Sequence, residues 1–427
     1  MKIPEILAPA GDWASLNSAI NAGANSVYLG VAEMNMRATA AKNFELKDLK
    51  EIVRVCKENN VKVFVTVNTL MYNGDLDVMK KIIDECKKTG VDAIIAADMA
   101  TITYAREIGV SVQISTQISI SNTESLKYYS QFADRVVLAR ELTLDQIKEI
   151  KEDIINQNII GPKGELIELE VFAHGALCVA VSGRCYMSLY SSGTSANRGK
   201  CSQVCRRKFK VTDDTGKEMS VDNNYVMSAA DLCTIGMLPE LIASGADVLK
   251  FEGRGRPPEY VDVIVRTYKV ALESIEKGEY TEENIEKWRE TLGAEFNRGQ
   301  SEGLYRGLSF AKWAGSHGSR STTEKTIIGN VTNYFSKIGV AEITVSAKEE
   351  VKIGEQYIIT GNTTGVVRGI IKDWKIFNEN GEEIKSEKSS QNNIFTIKTE
   401  NPVRKNDEFY VIRKRKSLTP RGRELME

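Results

Sequence analysis

The feature that most limits how this chain can fold is an alternation running from residue 4 to about 251. Short β-branched apolar runs are separated there by helix-length amphipathic stretches such as Leu46–Asn59 and Leu76–Thr89. The runs are Pro4–Ala8, Ser26–Leu29, Val61–Thr66, Asp92–Ala96, Ser111–Ser115, Arg135–Ala139, Leu169–Ala173 and Asp247–Phe251. Several follow a glycine that closes a helical stretch, as in Thr89-Gly90-Val91 and Ser244-Gly245-Ala246. Glycine there supplies the positive φ of a helix C′ position. Repeated strand–helix–strand units require right-handed crossovers and a parallel sheet. Eight such strands predict an α/β fold, a closed (β/α)8-like barrel. An open doubly wound sheet is the competing arrangement, and no G-x-G-x-x-G follows the first strand to support it.

The rhythm breaks between Gly175 and Cys233, a stretch of small residues and cysteines with a hairpin-like pair around Thr212–Lys217. It reads as a cysteine-bearing insertion between the seventh and eighth strands, over one barrel mouth. Helices are predicted over Glu259–Lys277 and Glu282–Leu292, and the Gly/Ser/Thr-rich Gly315–Thr323 reads as a linker. Beyond it the pattern changes to period two between Gly-, Asn- and Asp-containing turns, which predicts a small all-β barrel. The expected organisation is a barrel domain over 1–313 with its cysteine loop at about 175–233, a linker over 314–324, and a C-terminal β-barrel over 325–427.

The first residues carry no apolar secretory segment, and the longest apolar runs are strand-sized. A cytoplasmic protein with no membrane span is expected, and thiols in that compartment stay reduced. The formal net charge of −1 makes no global case for nucleic acid; the basic end Arg413-Lys414-Arg415-Lys416, followed by Arg421 and Arg423, gives slight support for RNA.

Five of the seven cysteines fall close together: Cys178, Cys185, Cys201, Cys205 and Cys233, spaced C-x6-C, then fifteen residues, then C-x3-C, then twenty-seven. Cys56 and Cys86 sit in amphipathic helices and read as small buried hydrophobes. Zinc knuckles favour two short C-x2–4-C pairs, and only one short pair is present. Thiolates scattered over a glycine-rich loop suit an iron–sulfur cluster, which takes ligands from several directions. Spacing alone leaves iron–sulfur, zinc and unligated thiols open.

The stretch Glu170-Val-Phe172-Ala-His174-Gly175-Ala-Leu-Cys178-Val-Ala-Val-Ser-Gly183-Arg-Cys185-Tyr-Met187-Ser188 reproduces the pattern E-x-F-x2-G-[SA]-[LIVM]-C-x4-G-x-C-x-[LIVM]-S of the U32 peptidase family. Ser195–Arg206, Ser228–Cys233 and Lys250–Arg254 resemble its later blocks, and Glu5–Gly11 and Asn35–Ala38 fit as well. The chain resembles in particular the branch concerned with tRNA 5-hydroxyuridine synthesis. That resemblance implies oxygen-independent hydroxylation of the wobble uridine, tRNA as partner, and prephenate as presumed hydroxyl donor. It also implies a 4Fe–4S cluster, by motif position on Cys178, Cys185, Cys201 and Cys233, with Cys205 as an uncertain fifth. A paralogous subunit or a homo-oligomer is a further expectation.

Groups directly after barrel strands line the C-terminal mouth, where barrel enzymes work. Here they are Arg37, Asn68, Gln117, Arg140, Glu141, His174, Lys250, Glu252 and Arg254. Arg37, Asn68, Gln117, Arg140, Lys250 and Arg254 are expected to bind substrate, since arginine pairs bidentately with carboxylates or phosphates. His174 and Glu252 are the catalytic candidates. Tyr186 and Tyr190 read either as stacking platforms for a base or as core aromatics. The alternatives kept are a U32-type, collagenase-like peptidase and a non-catalytic iron–sulfur RNA-binding module. The peptidase reading is short of bases: His174 and His317 are the two histidines, and no H-E-x-x-H occurs.

Overall fold

In the computed structural model, which describes residues 2–39, 41–219, 225–307, 312–315 and 318–415, eight parallel strands close on themselves. They are β1 (Glu5–Ala10), β2 (Ser26–Gly30), β3 (Lys62–Val67), β4 (Ala93–Ala96), β5 (Val112–Ile114), β6 (Arg135–Val137), β7 (Glu168–Gly175) and β11 (Val248–Phe251). β11 pairs with both β1 and β7, which closes the barrel. Between β7 and β11 lie β8 (Val211–Thr212) and β9 (Glu218–Met219), which form the expected hairpin, and β10 (Asp231–Cys233), which runs antiparallel to β7.

Helices α1 (Trp13–Ala22), α2 (Leu49–Glu58), α3 (Leu76–Thr89), α4 (Met99–Glu107), α5 (Thr123–Ser130) and α6 (Leu144–Asn156) follow the first six strands in turn. Asp12 caps α1 by accepting the Ser15 N–H at 2.9 Å, and Gly23 ends it at φ 89°. α2 buries Leu49, Ile52, Val53 and Cys56, an i, i+3, i+4, i+7 spacing that fixes one face against the barrel. Cys56 and the similarly placed Cys86 are fully buried, and burial pushes both thiols up to about 12. α7 (Met187–Ser192) lies in the insertion, and α8 (Leu238–Ala243), α9 (Pro258–Lys277) and α10 (Glu282–Ala294) complete the outer layer. No helix among the described residues is long and apolar enough to cross a membrane.

Inside the barrel Leu7, Tyr28, Phe64, Ala93, Ile95 and Val248 pack together. Beside them stands a buried charged set. Lys250 Nζ lies 2.6 Å from Glu170 Oε1, and Arg135 reaches Glu5 at 3.2 Å and Glu168 at 2.7 Å. Burial raises the Glu5 carboxyl, but Arg135, Lys62 and Ser26 outweigh it and hold it at about 2.

The β7–β11 register carries a one-residue irregularity: Lys250 pairs with Phe172, but Phe251 pairs with His174, so β7 has one residue more, Ala173. An extra residue reverses the alternation of side chains on that strand. Glu170 and Phe172 face inward, while His174 is turned with Phe251 toward α9.

The C-terminal unit is an eight-stranded antiparallel sheet over a core of its own, including Ile328, Val331, Ile343, Phe395 and Phe409. It docks on the barrel's outer helices. Arg368 lies 3.3 Å from Asp262 and 2.9 Å from Glu295, and Asn17 of α1 donates to the Asn362 carbonyl at 2.7 Å. The described part of the stretch read as a linker is tied down: Ser321 Oγ donates to the Ala294 carbonyl at 2.9 Å, and Arg320 N–H to the Asn297 carbonyl at 2.7 Å. Arg413 is engaged with Glu349 and Glu355. Lys416, Arg421, Arg423 and His317 lie outside the described residues.

Candidate active site

A cavity of about 240 Å³ opens at the mouth formed by the carboxyl ends of the strands, under the insertion. Arg37, Asn68, Gln117, Arg140, Lys250, Glu252 and Arg254 all line it, as do Cys178, Cys185 and Cys201. The rule that residues directly after barrel strands meet at one mouth therefore brings these distant positions together.

Three expected members are elsewhere, and of these Glu141 is exposed and does not line the cavity. The Ala173 bulge turns His174 away from the cavity; its Nδ1 lies 3.3 Å from the Tyr268 hydroxyl, and burial holds the imidazole down at about 3. Such a ring stays neutral and does not reach substrate in the cavity. Cys233 is buried on β10, where its Sγ lies 4.0 Å from the Tyr268 hydroxyl, and burial pushes the thiol up to about 11. The fourth thiol at the cavity is Cys205. Gln203 adopts a left-handed backbone at φ 53°, and the 3-10 turn Val204–Arg206 follows, so the chain doubles back and presents Cys205 beside Cys201.

All four cavity cysteines are free thiols. Among the described residues no three His, Cys, Asp or Glu side chains converge on one metal-ion position. The thiols are spread around a wall instead; a closed tetrahedral zinc needs its ligands on one point, whereas a multi-iron group takes them from several sides. The Met187 N–H points to Cys185 Sγ at 3.4 Å and Ser188 Oγ to Cys201 Sγ at 3.8 Å, contacts that tune sulfur basicity.

The rest of the wall is strongly cationic. Among the described residues seven lining side chains are Arg or Lys, and Glu252 is the single lining carboxylate. Arg37 donates to Glu252 Oε1 from Nη2 at 2.8 Å and Nε at 3.2 Å. Burial raises the Glu252 carboxyl, but Arg37, Arg256 and Arg140 prevail and hold it at about 2. An acid that weak in basicity is suited to fixing Arg37 rather than to relaying protons. Lys250 is occupied by Glu170, and Arg298 by Asp231 at 3.2 Å.

Arg140, Arg206, Arg254 and Arg256 form no ion pair among the described residues. Arg140 lies 3.6 Å from the Phe172 ring centroid and donates to the Ala176 carbonyl at 2.9 Å, while its Nε is buried without a partner. Arg254, 5% exposed, donates to Thr66 at 2.9 Å and Asn35 at 3.1 Å, and burial lowers it to about 10. Arg256 stacks 3.5 Å from the Phe296 centroid. Arg206 donates to Ser228 Oγ at 3.1 Å and to the Ala229 and Leu177 carbonyls, pinning both ends of the insertion. Arg254 is buried and the other three are half-buried; guanidinium groups so placed around one cavity have the charge and geometry to hold a small polyanion. Arg256 was readable from the rule that found Arg254, two residues earlier; Arg298 follows α10 and carries no comparable signal.

The sequence profile described as peptidase family U32 matches residues 11–315. A protein of Porphyromonas gingivalis named collagenase is 45% identical over 96% of this chain and 98% of its own. The Bacillus subtilis tRNA hydroxylation protein P1 is 32% identical over 78% of each chain. The Escherichia coli 23S rRNA 5-hydroxycytidine C2501 synthase is 36% identical over 64% of this chain and 39% of its own.

Proposed function

The chain belongs to peptidase family U32, and on that premise we propose that it is an RNA-modifying enzyme, an oxygen-independent hydroxylase of the wobble uridine of tRNA. The observation that carries this reading is the cavity itself, a small cationic chamber walled on one side by four thiols. In this reading Cys178, Cys185, Cys201 and Cys205 hold a 4Fe–4S cluster, which when bound supplies Lewis-acid or electron-transfer chemistry at the cavity wall. Arg140 and Arg254 hold the carboxylates of a dicarboxylate co-substrate, prephenate, as the hydroxyl donor. Arg37, locked by Glu252, adds a third cation whose direction is fixed before substrate arrives. The insertion covers the chamber and shields these contacts from water, which strengthens each of them.

Relatives named for tRNA and rRNA hydroxylation support the class of reaction. The relative named collagenase favours a second reading, a peptidase. Among the described residues a nucleophile–histidine device finds no imidazole at this cavity, because His174 faces α9. The two readings separate in one experiment. Mass spectrometry of tRNA nucleosides from a deletion strain is expected to show loss of hydroxylated uridine, restored by the wild-type chain. Intact tRNA modification together with cleavage of denatured collagen by the pure protein would reverse the assignment.

The ligand pocket has its own test. Arg140→Ala should weaken prephenate binding about ten- to hundredfold, the effect of losing one charge-assisted contact. Arg140→Lys should recover part of it, since an ammonium lacks the planar fork. Calorimetry under anaerobic conditions measures both, and unchanged affinity in Arg140→Ala would remove this residue from the pocket.

A further inference from the structure

The rim of the cavity carries features that the chemistry above leaves unused. Tyr186 is 72% exposed and Tyr190 91% exposed, so neither packs in a core. Tyr186 stands between the cavity-lining Cys185 and Met187. Tyr190 follows one turn later, its N–H bonded to the Tyr186 carbonyl at 2.9 Å, so both rings share one helix face. On a second segment of the rim, the loop after β3 is pinned to the insertion: the Leu70 N–H meets the Asn197 carbonyl at 3.2 Å, and Arg198 pairs with Asp75. Tyr72 of that loop, 57% exposed, lies 4.2 Å from the Arg198 guanidinium. Rings left in water forfeit the stabilisation that burial would bring, and a cluster of them marks a contact surface.

Charge says what the contact is with. Between Glu170 and Asp213 the sequence has seven Arg or Lys and no Asp or Glu, in a chain whose formal net charge is −1. Arg184, Lys200, Arg207 and Lys208 of this stretch are exposed. Aromatic faces interleaved with cations are the device by which single-stranded nucleic acid is held: bases stack on rings and phosphates meet the cations. A duplex hides its base faces, so rings of this kind offer it nothing.

We infer that the rim is a docking surface for single-stranded RNA, with two bases stacked on Tyr186 and Tyr190 and the backbone running over Lys200 and Lys208. This deepens the reading of the chain as an RNA-modifying enzyme and rests on it. The strand so held passes directly over the chamber, which delivers an unstacked nucleotide to its entrance.

The probe is a labelled oligouridylate of about a dozen nucleotides, within the span one such surface covers, titrated against the full-length chain. Tyr186→Ala and Tyr190→Ala should each weaken binding about tenfold, and Tyr186→Phe and Tyr190→Phe should bind like wild type because the ring face remains. An RNA duplex of equal length should bind more weakly, and Lys200→Ala should lower the salt slope by roughly one phosphate contact. Alanine variants that bind like wild type, or a duplex preferred over the single strand, would overturn the inference. So would a dimer that dissociates in the double alanine variant while RNA affinity stays unchanged, since the rim would then be a protein contact. Nucleoside analysis in the deletion strain keeps the two readings apart. Full hydroxylation by the Tyr186→Ala, Tyr190→Ala double variant sinks the docking surface alone. Tyrosine-dependent binding by a wild-type chain that restores no hydroxylated nucleoside sinks the enzymatic assignment and leaves the surface standing.

Discussion

Protein purified without oxygen is expected to be brown, and Cys205→Ala is expected to abolish its iron and visible absorption, whereas Cys233→Ala keeps both. Cys205 lines the cavity with Cys178, Cys185 and Cys201. Cys233 lies under Tyr268 with its thiol pushed up to about 11 by burial. Only a thiolate ligates metal, and a thiol so disfavoured as an anion, outside the cavity lining, is a poor ligand. Removing one of four thiolates opens the cluster to solvent and oxidation, so the effect should be all or none rather than graded. Cys233→Ala removes one buried sulfur and should leave a folded chain. Iron content and the visible spectrum decide the matter. Iron kept in Cys205→Ala and lost in Cys233→Ala would restore the set implied by motif position, and stoichiometric zinc would falsify the cluster altogether.

Lys250→Met should be the most destabilising single change at the barrel interior. The ammonium lies 2.6 Å from Glu170, whose side chain is fully buried. Taking away one partner strands a buried carboxylate, which costs about 3–5 kcal/mol. Arg135, 3.9 Å from the other Glu170 oxygen, offsets part of that, so the lower end of the range is expected. Pairing the change with Glu170→Leu removes the stranded charge and should recover most of the loss, because apolar replacements of buried pairs are often tolerated. Urea denaturation of the two variants gives the comparison. A loss below about 1 kcal/mol in Lys250→Met, the size of an exposed pair, would show that this interior is wet.

The barrel was legible because its signals are local and repeated. Each of the eight runs read from the sequence lies within two residues of a barrel strand, and the mouth rule followed from the strands, so Arg37 and Arg254 could be placed together though far apart in the chain. What the sequence did not disclose depends on backbone direction over one or two residues. Whether Cys205 or Cys233 joins the thiol wall is set by the left-handed turn at Gln203 and by which face of β10 looks outward. Neither is encoded in spacing. Tyr186 and Tyr190 were ambiguous for a related reason: ring exposure depends on what the insertion packs against, not on its composition. The Gly/Ser/Thr-rich connection read as a loose tether because small polar residues also make the short hydrogen bonds that fasten Ser321 to α10.

The extra residue in β7 has an evolutionary reading. Ala173 is where the strand changes phase, and its carbonyl is held by Tyr268 at 2.9 Å and Thr234 at 3.0 Å, which makes the defect a fixture of the architecture. Were one further residue added between Ala173 and the histidine, with the bulge kept, the ring would move one place along the alternation, opposite Glu252, and swing into the thiol-walled chamber. A lineage carrying this bulge is thus a single codon away from arming its mouth with a proton-transfer group. Descendants with and without the codon would share a scaffold while differing in the chemistry open to them.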